Sequence, residues 1–243
     1  MTGTPENSAA AISAVAALED TLRRGMYDFI RGASRPVSRE EAATAVGISR
    51  KLAAFHLDKL VDVGLLRARH EAVDGVRRVG RKPKVYEPVD TAIRVAIPER
   101  AHDVLADILV EAVLTERQGE NARQAAVRVA GQRGEQHGEA ERAAARPGRL
   151  GAERALTLTE PILERHGFEP VRATPTCVRL RNCPFHPLAA TAPELVCGLN
   201  HAFLAGLLLG LKASTVQAVL APRAGECCVE LRATTPEPEN SPK

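Results

Sequence analysis

The cysteines of this chain constrain its folded state more than any other feature. Four of the five lie in the last quarter of the 243 residues, and two histidines accompany them. The groups read Cys183-Pro184-Phe185-His186, Cys197-Gly198-Leu199-Asn200-His201 and Cys227-Cys228. Local patterns predict a loop, a helix start and a strand at these three places. Thiolates that converge from such elements are what a soft metal ion or an iron–sulfur cluster requires, so we expect a cofactor site here.

The chain is expected to be cytoplasmic and to have no membrane partner. Residues 9–18 are apolar but lack a basic lead-in, and the apolar run at 202–211 is too short to cross a bilayer. Cysteines in cytosolic proteins bind metals or carry out redox chemistry more often than they form structural disulfides. Aromatic residues make up only 3% of the chain, so base-stacking platforms are not expected.

The positive charge of the chain is concentrated in its first part. Residues 1–90 carry 15 Lys and Arg against 12 Asp and Glu, whereas residues 91–243 carry 18 of each. Seven basic residues fall within 67–84, namely Arg67, Arg69, Arg77, Arg78, Arg81, Lys82 and Lys84. This density is typical of a segment that contacts phosphates.

Residues 38–64 have the pattern of two helices joined by a tight turn. Ser38-x-x-Glu41 is a capping box that opens a short helix at 40–46, and Ser49 caps a second helix that runs to about Val63. This is the spacing of a helix-turn-helix, in which a scaffold helix leads to a recognition helix. A longer helix is predicted before it at 11–31, and residues 1–10 are predicted to be a disordered tail.

The second of these helices has two distinct faces. Its predicted core side carries Leu52, His56, Leu57, Leu60 and Val63, and the opposite side carries Lys51, Ala54, Phe55 and Asp58. An outward Phe55 is explained either by contact with a thymine methyl group or by packing under a following hairpin. The candidate DNA-binding residues of this helix are Ser49, Arg50, Lys51, Ala54 and Phe55.

The basic segment is predicted to form a wing beside these helices. Extended stretches at 67–73 and 84–89 flank Asp74-Gly75 and the Gly80-Arg81-Lys82-Pro83 turn, as in a hairpin. Contact with the DNA backbone or minor groove is expected from Arg77, Arg78, Arg81, Lys82 and Lys84.

The rest of the chain predicts a linker and a small α+β domain. Pro98 is expected to start a helix whose apolar seam, Val104, Leu105, Ile108, Leu109 and Ala112, either pairs two subunits or covers the following domain. Glycines interrupt 119–151, which suggests a broken helix and a mobile loop.

After residue 151 the pattern predicts an α+β domain, with helices at 152–166 and 193–211 and strands at 168–173, 177–181, 215–220 and 226–232. The predicted organisation is a winged helix-turn-helix domain at 11–92, a helical linker and dimerisation region at 93–149, a sensor domain at 150–234 and a disordered tail at 235–243.

Alternation along the predicted strands ranks the cysteines as ligands. Cys177 falls on the polar side of its strand and is a weak candidate, and Cys227 is favoured over Cys228. Cys197 is predicted to lie in the first turn of its helix, where the helix dipole would lower the pKa of its thiol. His201 lies one helical turn further on, and His186 follows Cys183 with C-x-x-H spacing.

The chain resembles a known family over nearly its whole length. SREEAATAVGISRKLAAFHLDKLVDVGLL and VRRVGRKPKVYEP resemble the winged helix of ArsR-like regulators, and RNCPFH, PELVCGLNHAFLAGLLLGL and GECCVEL resemble the sensor domain of the SufR-type repressors. This resemblance implies a homodimeric repressor that binds double-stranded DNA at an inverted repeat, holds a [4Fe-4S] cluster and controls iron–sulfur assembly or iron and oxidative stress genes. It implies Cys183, Cys197 and Cys227 as ligands, with Cys228 as a substitute for the last. The fourth ligand stays open between His201, His186 and a small molecule.

Two other functions stay open at this stage. The same ligand types suit Zn²⁺, so a zinc- or small-molecule-responsive ArsR-like regulator is the alternative. An enzyme is not expected, because the sequence shows neither paired carboxylates nor a nucleophile triad.

Overall fold

The computed structural model describes residues 5–70, 83–90 and 92–234. The fold is α+β with two small antiparallel sheets. The chain divides into two compact units, and the division falls between Val95 and Ala96. We call these the N-terminal unit and the C-terminal unit. The segment 96–149, predicted as a linker, belongs to the same compact unit as the cysteines.

The N-terminal unit packs four helices against a three-stranded sheet. Its elements are α1 Pro5–Ala17, α2 Thr21–Ala33, β1 Val37–Ser38, α3 Arg39–Ala45, α4 Arg50–Asp62, β2 Leu66–His70 and β3 Lys84–Pro88. Strand β3 lies between β1 and β2, and Tyr86 pairs with Val37 on one side and with Ala68 on the other. Tyr86, Met26, Ile30 and Leu57 are fully buried in the core of this unit.

Two predictions for the first 33 residues are wrong. The single helix expected at 11–31 is two helices, because the carboxylate of Asp20 accepts hydrogen bonds from the N–H groups of Leu22 and Arg23 and starts a new helix there. Residues 5–10, expected to be disordered, belong to α1.

Local capping signals correctly predicted the next two helices. Ser38 and Glu41 form the capping box at the start of α3, and the Ser49 hydroxyl accepts a hydrogen bond from the N–H of Leu52 at the start of α4. Gly47, between them, has a φ of 69°, a conformation that glycine adopts without steric cost.

The strands predicted at 67–73 and 84–89 are observed at Leu66–His70 and Lys84–Pro88, and residues 71–73 lie outside the described residues. Strands β2 and β3 pair in antiparallel register from Leu66 opposite Pro88 to His70 opposite Lys84. The connection at 71–82, which includes Arg77, Arg78, Arg81 and Lys82, lies outside the described residues.

The C-terminal unit combines a long helix pair with a four-stranded sheet. Its elements are α5 His102–Leu114, α6 Ala122–Ala145, α7 Ala152–Arg165, β4 Pro170–Thr174, β5 Cys177–Leu180, α8 Leu188–Thr191, α9 Pro193–Gly210, β6 Val216–Leu220 and β7 Val229–Ala233. The sheet has the order β4-β5-β7-β6. Helix α9 lies between α6 and the sheet, and its buried residues Leu199, Phe203, Leu204 and Leu207 contribute to the core.

The broken helix and loop expected at 119–151 are a 24-residue helix for most of that length. The glycines that suggested interruption let α6 approach α9 closely. A Cβ added to Gly134 would overlap the carbonyl oxygen of Phe203, and one added to Gly206 would overlap that of Gly131. Gly138 and Gly210 are equally tight. Glycine lowers helix propensity but permits this backbone contact. In α6 the stabilisation from close packing outweighs the loss of helix propensity.

The prediction that a helix starts at Pro98 is also wrong, because α5 begins at His102. Leu105, Ile108 and Ala112 of the predicted seam are buried within the C-terminal unit, whereas Leu109 is partly exposed. Among the described residues, α9 is long and apolar enough to cross a membrane by length and composition alone, and half of it is buried in this unit.

Candidate metal centre and nucleic-acid interface

Four cysteine side chains come together in the C-terminal unit. Cys183 lies in the loop after β5, Cys197 lies on α9, and Cys227 and Cys228 immediately precede β7. The Cys183 and Cys227 thiols influence each other's pKa, and Cys228 influences the pKa of both Cys227 and Cys197, so the four side chains are neighbours. Three segments that are distant in sequence therefore supply one connected group of sulfur atoms.

Cys177 stands apart from this group, as alternation along its strand predicted. Val178 and Leu180 of β5 are buried, whereas Cys177 is half-buried, and the charged groups closest to it include Glu230 and Arg179. Burial raises the pKa of the Cys177 thiol, and Glu230 adds to the effect.

The prediction made from side-chain alternation is wrong for the last two cysteines. It assigned Cys227 to the core and Cys228 to the polar side, yet both are buried. The reason is that β7 begins at Val229, so the two cysteines lie in the turn before it, where side chains do not alternate. The N–H of Cys227 donates to the carbonyl of Leu180, and the carbonyl of Cys228 accepts from Ala221, which fixes both residues between neighbouring strands.

Several N–H groups point at the sulfur atoms. The backbone N–H groups of Phe185 and His186 favour the thiolate of Cys183 and so lower its pKa, and that of Val229 acts in the same way on Cys227. The His186 N–H also donates to the carbonyl oxygen of Cys183 at 3.1 Å. Asn200 Nδ2 lies 3.1 Å from Cys227 Sγ, and Asn200 is buried on α9. Such bonds favour a thiolate over a thiol, and thiolates are what metals bind.

The pKa values of the Cys183 and Cys227 thiols are raised, so these two thiols stay protonated at neutral pH. The hydrogen bond with Cys227, followed by burial, raises the pKa of Cys183 far above its ordinary value. The bond with Cys183 lowers the pKa of Cys227, but the bond with Cys228 and burial outweigh it and raise that pKa to about 11.

The prediction of a lowered pKa at Cys197 is wrong. Burial raises the pKa of the Cys197 thiol, and the hydrogen bond with Cys228 offsets only part of the increase. Helix α9 begins at Pro193, so Cys197 lies beyond the free N–H groups of the first turn. The effect of the helix dipole falls off within that turn.

The two histidines considered as a fourth ligand have other positions. His201 Nε2 lies 3.1 Å from the carbonyl oxygen of Ala218 on β6. The His186 side chain is exposed, and it is the backbone N–H of this residue that meets Cys183. A fourth thiol, Cys228, is closer to the other cysteines than the sequence suggested.

The donor set fits a thiolate-held cofactor in its chemistry. Four thiols are available, and N–H groups are already directed at two of them. In the part of the chain that the structure describes, however, no three or more His, Cys, Asp or Glu side chains are arranged to hold a metal ion. The thiols would have to exchange their mutual hydrogen bonds for bonds to the cofactor.

Asn200 has one further unusual feature. Its Oδ1 atom is buried and has no hydrogen-bond partner among the described residues. The sequence offered a signal for this residue, since Asn200 is a polar side chain four residues before Leu204 and therefore on the buried face of α9.

The outward face of α4 is largely as predicted. Phe55 is 57% exposed and its ring packs edge-on against the buried His56. Lys51 is exposed and Ala54 is half-buried. The core side needs one correction, because Ala53 is buried and Leu52, expected in the core, is 41% exposed.

Other predicted DNA-binding residues already have partners. Ser49 caps α4, and Arg50 forms an exposed ion pair with Glu40 at 3.6 Å. Lys84 Nζ lies 2.6 Å from Asp58 Oδ1 and 5.3 Å above the Tyr86 ring. The hydrogen bond to Asp58 raises the pKa of Lys84 and compensates its charge, so Lys84 is a weaker phosphate contact than its sequence position suggested.

Comparison of the chain with protein-family models, with curated proteins and with solved structures found no match.

Proposed function

We propose that this protein is a DNA-binding transcriptional regulator, acting as a repressor, whose operator affinity depends on an iron–sulfur cluster held by its C-terminal cysteines. The observation that carries this proposal is the connected, largely buried group formed by Cys183, Cys197, Cys227 and Cys228. A group of thiols from three separate segments needs a reason to converge, and a thiolate-bound cofactor supplies one.

Cys228 is the fourth ligand in this proposal, and neither His201 nor His186 is required. The four thiols suit a [4Fe-4S] cluster, which takes four cysteine ligands. When bound, such a cluster would supply a redox- and oxygen-sensitive state. The chain itself supplies the peptide N–H groups of Phe185 and His186 and the Asn200 amide, which stabilise negative charge on the ligating sulfur atoms.

The N-terminal unit supports the DNA-binding part of the proposal. Two capped helices, α3 and α4, are followed by an antiparallel strand pair, which is the order of a winged helix-turn-helix. Lys51 and Phe55 lie on the outward side of α4, where a recognition helix presents residues to the major groove. The basic residues of 71–82 would contact DNA phosphates beside that groove.

The regulator is proposed to act as a homodimer on an inverted repeat. The outer face of α5 supports this, because Val110, Val113 and Leu114 are 59%, 71% and 79% exposed. Their spacing places them on one side of a helix, and exposed apolar patches of this kind commonly mark protein interfaces. Two-fold symmetry in the protein would then match half-sites about one helical turn apart in the DNA.

Iron and sulfide analysis of anaerobically purified protein tests the cofactor. We expect iron and acid-labile sulfide in equal amounts and broad absorption near 400 nm. Ser substitution at any of the four grouped cysteines should remove or destabilise this signal. Cys177→Ser is the matched control and should keep it, because Cys177 lies outside the group.

The outcomes separate the candidate functions. A colourless protein that contains zinc, lost on the same four substitutions, would replace the cluster with the zinc-responsive alternative. Four variants that hold iron and sulfide at full stoichiometry would end the cofactor proposal. DNA binding is tested separately, by selecting duplexes from a random pool with the full chain. If no preferred sequence is recovered, the proposal that the protein is a DNA-binding regulator is contradicted.

A further inference from the structure

A short segment, residues 99–102, is hydrogen-bonded to the loop that carries Cys183. We call residues 99–102 the strap and residues 182–186 the cysteine loop. The N–H of Ala101 donates to the carbonyl of Pro184 at 3.0 Å. His102 Nε2 lies 3.0 Å from the carbonyl oxygen of His186, which can only accept, so that nitrogen carries the proton.

Asn182 ties the strap and the cysteine loop to the end of α7. Its buried Nδ2 donates to the carbonyls of Gly167 at 2.6 Å and Glu99 at 3.0 Å, and its Oδ1 accepts from Arg100 Nη1 at 2.6 Å. The same Arg100 nitrogen is 3.4 Å from the carbonyl oxygen of Cys183. Every polar atom of the amide is used, so removal of this side chain would leave buried groups without partners.

The strap is joined to the N-terminal unit by a short connector. Ile93 packs against the hydrophobic core of that unit, and only residues 94–98 separate it from Glu99. The chain therefore runs directly from the proposed DNA-binding unit into hydrogen bonds with the cysteine loop.

We propose that the strap transmits the ligand state of Cys183 to the connector and so to the N-terminal unit. This inference rests on the proposed function and names how the site regulates DNA binding. The Cys183 thiol is a neighbour of the Cys227 thiol. A cofactor bound by Cys183 replaces that contact and displaces the cysteine loop, and the strap either follows the loop or loses its hydrogen bonds. In either case the connector has different contacts when Cys183 binds a cofactor and when it does not. Coupling between two sites requires such a difference.

Hydrogen–deuterium exchange of the full chain tests the inference without knowledge of the operator. Protein reconstituted anaerobically with ferrous iron and sulfide is compared with metal-stripped protein. Peptides that cover 94–102 should differ about tenfold in exchange rate between the loaded and the stripped protein, roughly the effect of one net hydrogen bond. If the thiols hold Zn²⁺ instead, zinc-loaded protein takes the place of the reconstituted form and the same difference is expected.

Variants then show whether the strap carries the difference. Asn182→Ala, compared at equal metal content, should abolish the difference in exchange of 94–102 between the two forms. Arg100→Ala provides a second variant that removes the contacts to Asn182 and Cys183 from a partly exposed position, should the first variant fail to fold. Arg123→Ala is the control, because Arg123 donates to the carbonyl of Glu194 at the start of α9 and does not touch the strap.

Each outcome decides between explanations. Equal exchange of 94–102 in loaded and stripped wild-type protein, with metal retained, overturns the inference and leaves the proposed function standing. A difference that persists unchanged in both strap variants also overturns it. A chain that retains neither iron and sulfide nor zinc overturns the proposed function, and the inference falls with it.

Discussion

Replacement of Gly134 by Ala should destabilise the C-terminal unit even though alanine is the better helix former. The new Cβ would overlap the carbonyl oxygen of Phe203 and lie 2.9 Å from the backbone N of Leu207. Both neighbours are backbone atoms of α9, so no side chain can rotate away and the two helices must separate. Overpacking of this kind costs about 1–3 kcal/mol or more, against a gain in helix propensity of up to about 1 kcal/mol. We expect a net loss of about 2 kcal/mol.

Gly131 provides a matched control on the same helix. A Cβ there would have only the carbonyl oxygen of Ala202 nearby, at 3.7 Å, which is an ordinary contact. Gly131→Ala should therefore be neutral or stabilising by up to about 1 kcal/mol. The two substitutions share their chemistry and differ only in the distance to α9.

The assay can separate the two units because of where the tyrosines lie. Tyr27 and Tyr86 both belong to the N-terminal unit and the chain has no Trp, so tyrosine fluorescence follows that unit while far-UV circular dichroism follows both. Gly134→Ala should lower the urea midpoint of the dichroism transition and leave the fluorescence transition in place. Equal midpoints for Gly134→Ala and Gly131→Ala would refute the close packing of α6 on α9.

Three further predictions concern other parts of the molecule. Burial lowers the pKa of His166 to about 4, below its unfolded value of about 6.5, so the unfolded state takes up the proton first and stability should fall by about 2 kcal/mol as pH drops from 7 to 5. His166→Phe should remove that pH dependence, as measured by urea unfolding at each pH. Phe55→Ala and Lys51→Ala should change sequence preference by about 1–3 kcal/mol per base contact, and a uniform loss over all sequences would contradict a groove position. Val113→Glu should weaken the proposed dimer in analytical ultracentrifugation, and a dimer of unchanged stability would exclude the outer face of α5 as its interface.

Sequence predicted best the features that are determined within a few residues. The Ser38–Glu41 capping box and the Ser49 cap are short-range hydrogen bonds, and the helices begin where those bonds require. Asp20 is a signal of the same kind, but it lies inside a continuous apolar pattern that suggested one long helix.

Features that depend on a distant partner were not predictable in this way. A glycine inside a helix reads as a break when the helix is considered alone, and only the presence of α9 shows that Gly134 and Gly138 make contact possible. The start of α5 was misplaced for a similar reason. Glu99 and Ala101 are held outside the helix by hydrogen bonds to Asn182 and Pro184, more than 80 positions away in sequence.

The cysteine group illustrates both cases. The convergence of the three motifs was expected from their composition, yet alternation chose between Cys227 and Cys228 on the assumption that both belong to a strand. The register of β7 is set by pairing with β6, where Val229 lies opposite Leu220, and the two cysteines precede that pairing. No local pattern marks where such a strand begins.

The two sides of the cysteine group differ in how firmly the fold holds them. Cys197 and Asn200 lie on α9, whose backbone packs against that of α6 at glycines where a Cβ would not fit. Cys183 lies in a loop held by hydrogen bonds from Asn182, Ala101 and His102, which exchange partners at far lower cost than packed backbones separate. Under the proposed function, a cofactor that required the sulfur atoms to move apart would displace Cys183 and leave Cys197 in place. Cys183 is the proposed ligand whose loop is bonded to the strap, so a change in its ligation would reach the connector without disturbing the helix pair.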